Sequence, residues 1–293
     1  MTDVSLKEIV VPFDGSELSE MAVPYAEELA RRLGGRVTIV RAMPEPAMVT
    51  DIPKKLVAGM KATAQAELEA AVKRCAPAIE VDTVLKVGFP VEVVLAAAAG
   101  RDLIVMTTNG RGGLSRFVMG SVAEKIVRLS PIPVLVIRPL RSASRSAAVT
   151  GAKRLLRDVA VPLDRSELAL DAVRPLAAAA GSDTRIHVLT VVPREADERS
   201  ANAAADYLAA RVTALESRGL AVVTRLLHHD SPAEAIGAYA EAQDCGLIVM
   251  SSHGAGGFRE WMLGSVTDQT IRRGPVPVLV VPSAGRAAKP AKK

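Results

Sequence analysis

The chain spells one loop twice. Its middle reads Asn109-Gly-Arg-Gly-Gly-Leu-Ser-Arg-Phe-Val-Met-Gly-Ser-Val122, and its end reads His253-Gly-Ala-Gly-Gly-Phe-Arg-Glu-Trp-Met-Leu-Gly-Ser-Val266. Each copy follows an apolar run, Leu103–Met106 or Leu247–Met250, and each leads to a Pro-x-Pro-Val-Leu-Val segment. The openings match too: Ile9-Val-Val-Pro-Phe-Asp-Gly-Ser-Glu-Leu18 against Val159-Ala-Val-Pro-Leu-Asp-Arg-Ser-Glu-Leu168. Such self-similarity fixes the architecture as two copies of one unit. The offset is 150 residues from Asp14 to Asp164 and 144 from Gly110 to Gly254. The second copy is thus six residues shorter inside, and the Met43–Pro53 stretch is the expected place, since surface loops absorb deletions most easily.

Within each copy, short Val/Ile-rich runs alternate with longer helical patterns. The first copy predicts strands over Lys7–Pro12, Arg36–Ala42, Ile79–Val87, Asp102–Thr107 and Val134–Arg138, and helices over Ser16–Leu33, Lys55–Arg74, Val91–Ala99 and Ser121–Leu129. The second predicts strands over Asp158–Pro162, Arg185–Val192, Ala221–His228, Leu247–Ser251 and Val276–Val281. Its helices are Ser166–Ala180, Asp197–Arg218, Ala233–Ala242 and Ser265–Arg272. This is an α/β pattern: two open five-stranded parallel sheets, each flanked by helices. Only 3% of residues are aromatic, so the core must be Ala, Val, Leu and Ile, which suits strands buried on both faces. Domains are expected over residues 1–140 and 154–283, with 141–153 a flexible Ser/Ala/Arg linker and 284–293 a basic disordered tail.

The net charge of +5 is misleading. Arg138–Arg157 holds six basic residues and no acid, and Ser283–Lys293 holds four more. Setting those ten aside leaves 27 of the 37 basic residues against 32 acidic ones. The folded units are mildly acidic, which argues against a specific nucleic-acid surface. No run reaches the roughly 18 apolar residues of a membrane span. The N-terminus lacks an export signal, and two unpaired cysteines, Cys75 and Cys245, fit a reducing compartment; the expected location is cytoplasmic.

Three kinds of residue stand where chemistry would sit. In such sheets ligands bind beyond the C-terminal strand ends, where the strand order reverses. Asp14 and Asp164 follow Pro12 and Pro162 there, as a ligand-holding carboxylate or as a turn-making Asx residue beside Ser16 and Ser166. Gly110, Gly112 and Gly113 permit close backbone approach, and Gly120-Ser121 opens a helix whose free amides favour phosphate. Ser121 with Glu124 also spells a capping box, and Ser265 with Asp268 nearly does, so phosphate cradle and tight turn both remain open. Neither loop has Walker A or dinucleotide spacing. His253 aligns with Asn109, so it is not an obligatory proton carrier, and His187, His228 and His229 lack metal-ligand spacing. No nucleophile elbow, zincin or kinase signature appears, so no catalytic residue is assigned.

Together the Val-Pro-x-Asp-x-Ser opening, Val87-Gly-Phe-Pro90, Asp102-Leu-Ile-Val-Met106, the Gly-(nine residues)-Gly-Ser loop and the closing Pro-Val-Leu-Val strand resemble the universal stress protein family in its tandem form. The resemblance spans residues of about 5–139 and 154–282. It implies an adenine nucleotide α-hydrolase-like, Rossmann-type fold with the two copies paired inside one chain through their last strands. Some members bind ATP and others do not. Carried over, the binding pattern falls on Gly110, Gly120 and Ser121, and on Gly254, Gly264 and Ser265, with Thr107 and Ser251 where the pattern begins with glycine. Gly113 belongs to the same loop. Asp14, Gly15, Pro12 and Ala42 match positions near adenine and ribose, as do Asp164 and Val191 in the second copy; Gly88 matches a family glycine. Arg165 in place of Gly15, Asp230 in place of Gly88 and Glu260 in place of Phe117 disfavour an anion in copy two. The resemblance therefore implies an adenine-nucleotide-binding regulatory module, with ATP, with or without magnesium, favoured in the first copy. The alternatives are a nucleotide-free interaction scaffold and a slow ATPase. Protein partners and a homo-oligomer are expected.

Overall fold

The structure, a computed structural model, describes residues 6–43, 54–110, 119–139, 144–166, 173–216, 219–252 and 263–282. In the first half the strands are β1 (Glu8–Pro12), β2 (Arg36–Met43), β3 (Val81–Val87), β4 (Leu103–Thr107) and β5 (Val134–Ile137). The helices among them are α1 (Glu17–Glu20), α2 (Val23–Leu33), α3 (Lys54–Lys73), α4 (Pro90–Ala98) and α5 (Ser121–Leu129). Helix α6 (Arg145–Arg154) leads into the second half. There the strands are β6 (Asp158–Pro162), β7 (Arg185–Val192), β8 (Ala221–His228), β9 (Leu247–Ser251) and β10 (Val278–Val281). Its helices are α7 (Val173–Ala179), α8 (Glu198–Glu216), α9 (Pro232–Ala242) and α10 (Ser265–Arg273).

The two expected sheets are fused. Among the described residues one ten-stranded sheet runs β3-β2-β1-β4-β5-β10-β9-β6-β7-β8. Every neighbouring pair is parallel except the central one, where Val134, Leu135 and Val136 run antiparallel to Val280, Leu279 and Val278. The halves thus meet through their last strands. Alternation sends successive strand residues to opposite faces. Ile9 and Val11 join a core with Tyr25, Leu29 and Leu68, while Val10 joins another with Val94, Ile126 and Ile271. Ile126 of α5 is fully buried, so truncating it to Ala would cost about 2–5 kcal/mol.

Two departures have identifiable causes. The expected Ser16–Leu33 helix is two helices, because Pro24 has no amide to donate and sits instead in the first turn of α2. Ser16 does cap α1, accepting from the Ser19 amide at 3.1 Å, and Gly34 ends α2 with φ 62°. The expected flexible linker is largely helix α6. Ser144 caps it, and Arg145 reaches Glu20 and Glu27 at 3.2 Å and donates to the Arg74 carbonyl at 2.8 Å. Arg145, which reads as solvated linker charge, thus meets two acids of the first half. Residues 141–143 of that linker and the 284–293 tail lie outside the described residues. The connection after the second strand, by contrast, is shorter where expected: residues 44–53 in the first half against 193–197 in the second.

Candidate functional site

The strand order reverses between β1 and β4, and between β6 and β9. Asp14 lies just beyond β1, after the Phe13 amide extends the pairing by donating to the Val40 carbonyl at 2.8 Å. One carboxylate oxygen of Asp14 accepts from the Ser16 amide at 2.9 Å and from its hydroxyl at 2.6 Å. The turn reading of Asp14 is therefore satisfied. The other oxygen is aimed at Gly110: a Cβ on that glycine would lie 2.2 Å from Oδ2. Two candidate residues 96 positions apart in sequence (14 and 110) are thus pressed together at the switch point, and a side chain at position 110 would displace the carboxylate. Asp164 repeats the turn, accepting from the Ser166 amide at 3.0 Å and its hydroxyl at 2.6 Å.

The neck of each glycine loop is closed by one backbone bond. Gly120 donates to the Thr108 carbonyl at 2.8 Å, and Gly264 donates to the Ser252 carbonyl at 2.9 Å. The sequence offered no sign of Thr108 and Ser252 in this role, because any residue supplies a carbonyl. The loop interiors, with Gly113, Arg111, Arg116, His253, Gly254 and Glu260, lie outside the described residues.

The capping box does not form. Gly120 and Gly264 are themselves the N-cap residues, and neither end has a side-chain cap. Ser121 and Ser265 stand one residue inside their helices, both exposed, where their hydroxyls miss the cap position. Among the described residues no side-chain oxygen at the N-cap serves the first-turn amides of α5 and α10, and each helix presents its positive dipole end beyond the sheet.

The remaining candidates are spread along the same edge. Thr107 is buried, and its hydroxyl donates to the Asn109 carbonyl at 2.8 Å, turned into its own loop. In the second half the Ser251 carbonyl accepts from Thr267 at 3.1 Å. Ala42 and Val191 lie one residue from the ends of β2 and β7, the strands beside β1 and β6. Pro12, opposite Val40, closes β1. Gly88, donating to Met43 at 2.9 Å, is two strands from Asp14 and is not brought to it. Its counterpart is not Asp230. His229 makes the equivalent bond to the Val192 carbonyl at 2.9 Å, so Asp230 is an extra residue, its carboxylate accepting from the Arg194 amide at 3.1 Å. Arg165 holds the same left-handed backbone as Gly15, with φ 67° against 82°.

Of the described histidines, His187 lies away from this edge and His229 is held in a turn on it. His187 is buried, with Nδ1 2.9 Å from the Tyr239 hydroxyl and Nε2 2.9 Å from Asp158, the first residue of β6 and thus at the opposite strand end. His229 Nδ1 accepts from the Ser231 amide at 2.9 Å in a tight turn. Among the described residues no three His, Cys, Asp or Glu side chains come together as a metal cluster, and no helix is long and apolar enough to cross a membrane. Burial pushes the Cys75 and Cys245 thiols up to about 11.

Known proteins share this plan. The model of the universal stress protein family matches residues 5–138 and again 156–282. A universal stress protein of Thermus aquaticus is 33% identical over 141 residues, covering 45% of this chain and 98% of that protein. One from Mycobacterium tuberculosis is 28% identical over 208 residues, 69% of each chain. The crystal structure of a universal stress protein from Archaeoglobus fulgidus superposes with a TM-score of 0.69 at 24% identity, covering 94% of this chain and 96% of that one.

Proposed function

Because the chain belongs to the universal stress protein family in its tandem two-domain form, we propose that its first half binds adenine nucleotide as a regulatory ligand, with no catalytic step of its own. The observation that supports this most is the pairing of Asp14 against Gly110 beside the uncapped start of α5. The uncapped amides at Ser121 would take the phosphates, and Asp14 and Ala42 would hold the ribose and base. ATP, when bound, supplies the charge that this helix end is disposed to receive. Any magnesium would travel with the phosphates, since the described side chains form no cluster for it. The Thr107 hydroxyl, which stands where the family pattern has glycine, is engaged by the Asn109 carbonyl. The reading places the protein in the cytoplasm, acting through protein partners and further self-association that respond to the nucleotide.

Calorimetric titration with Mg-ATP tests it, using the intact chain and its Asp14→Ala and Asp164→Ala variants. Binding should fall about 10- to 100-fold in the first variant, the cost of one charge-assisted contact, and less in the second. Equal losses would contradict the ranking, and a flat wild-type trace would leave a nucleotide-free scaffold. Phosphate release from the same samples should stay at the buffer rate.

A further inference from the structure

Each helix that opens a candidate phosphate site carries an acid in its first turn, Glu124 in α5 and Asp268 in α10. Such a carboxylate stabilises the helix but opposes an anion bound at the same end. Glu124 is compensated from two sides. Arg128 Nη2, on the same helix, lies 2.8 Å from one oxygen, and Arg272 Nη2 lies 3.5 Å from the other. Arg272 belongs to α10, in the opposite half. It is well anchored: its Nε donates to Asp268 at 2.9 Å, and its carbonyl accepts from Arg138 at 2.9 Å. Two carboxylates beside the guanidinium, Asp268 first and Glu124 second, hold its proton more firmly than usual.

The repeat would lead one to expect the same help in return, from Arg128 to Asp268. It is not given. The residue equivalent to Arg138 is Pro282, which has no side-chain donor. Arg128 Nε and Asp268 Oδ1 are both buried and find no hydrogen-bond partner among the described residues. Charge compensation across the seam therefore runs one way, from the second half to the first.

We propose that Arg272 is a positioning residue for the first-half anion site: it reaches across the domain seam to offset Glu124 and so sets the affinity of the neighbouring helix end for phosphate. The proposal rests on the nucleotide reading above. The test is Mg-ATP titration of the full chain as wild type, Arg272→Gln, Glu124→Gln and the double variant. Arg272→Gln should weaken binding about three- to tenfold, the range expected for one charge near a helix end. Glu124→Gln should tighten it, and the double variant should return to at least the wild-type affinity, because nothing is left to offset. Arg272→Lys keeps the charge without the planar fork and should retain most of the binding. Arg272→Gln within twofold of wild type, or a double variant as weak as Arg272→Gln, overturns the proposal while leaving the nucleotide reading intact. If Arg272→Gln does not fold, an unchanged affinity in Glu124→Gln overturns it instead. A wild type that binds no Mg-ATP overturns both.

Discussion

The two halves carry one frame with different residues at its two switch points. At the switch point of the first half, Gly15 takes the left-handed turn at no steric cost; in the second, Arg165 is held in the same conformation. An L-residue there costs about 1–2 kcal/mol, so the scaffold imposed the turn and the second half accepted the strain. After the third strand, Gly88 turns directly into α4, while the second half inserts Asp230 and ties its carboxylate to the Arg194 amide. The lesson is that the repeated geometry belongs to the fold, and the differences in side chains mark where the two sites have parted.

Three substitutions probe that divergence. The largest effect is expected for Gly110→Val, whose side chain would displace the Asp14 carboxylate from its place 2.2 Å from the new Cβ. First-half binding of Mg-ATP should fall by about 100-fold or become undetectable, with any second-half heat preserved. Loss of both heats together would mean that the halves are not independent sites. Next is Arg165→Gly. Relief of the left-handed strain, reduced by the extra freedom of glycine in the unfolded chain, should stabilise the protein by up to about 1 kcal/mol. That is a rise of roughly 2 °C in the melting midpoint for a chain of this size, and a fall would reveal a useful contact of the Arg165 side chain. The smallest is Asp183→Asn, which breaks the exposed pair joining the halves at 2.8 Å, Arg32 to Asp183. Exposed pairs contribute about 0–1 kcal/mol, so the shift should stay below about 1 kcal/mol. Arg32 holds the Asp183 carboxyl below its usual range. Its stabilisation is then complete above the unfolded carboxylate value near 4 and is lost as pH falls through the lower folded value. Chemical denaturation should show the variant and wild type converging in acid and separating at neutral pH.

Much of this was legible in the residues. The duplication, the succession of strands and helices in each unit and the pairing of the units through their last strands follow from repeat spacing and family resemblance, and β6 to β9 begin and end where the hydrophobic pattern puts them. What escaped is tertiary. Arg145 looked like linker charge, because the acids that receive it, Glu20 and Glu27, lie more than 100 positions earlier. Glu124 looked like half of a capping box; its partners proved to be Arg128 and, across the seam, Arg272. The match between Gly88 and Asp230 failed by one residue because a short insertion next to a turn leaves no trace in hydrophobic periodicity. The closeness of Asp14 to Gly110 was inferable only as a shared edge, since spacing alone cannot say that a carboxylate and an α-carbon touch.

The antiparallel pairing of Val134–Val136 with Val278–Val280 bears on how such a molecule can diverge. Were two identical chains to meet along that seam, every new side chain would arrive in duplicate, and a donor facing a carbonyl would necessarily be answered by its own reflection. Tethering the copies in one polypeptide lifts that obligation. Arg138 can be answered by Pro282, and a contact can be written in a single direction. A covalent pair is thus free to specialise, one member as the reader and the other as its support, where a symmetric pair would have to remain two of the same.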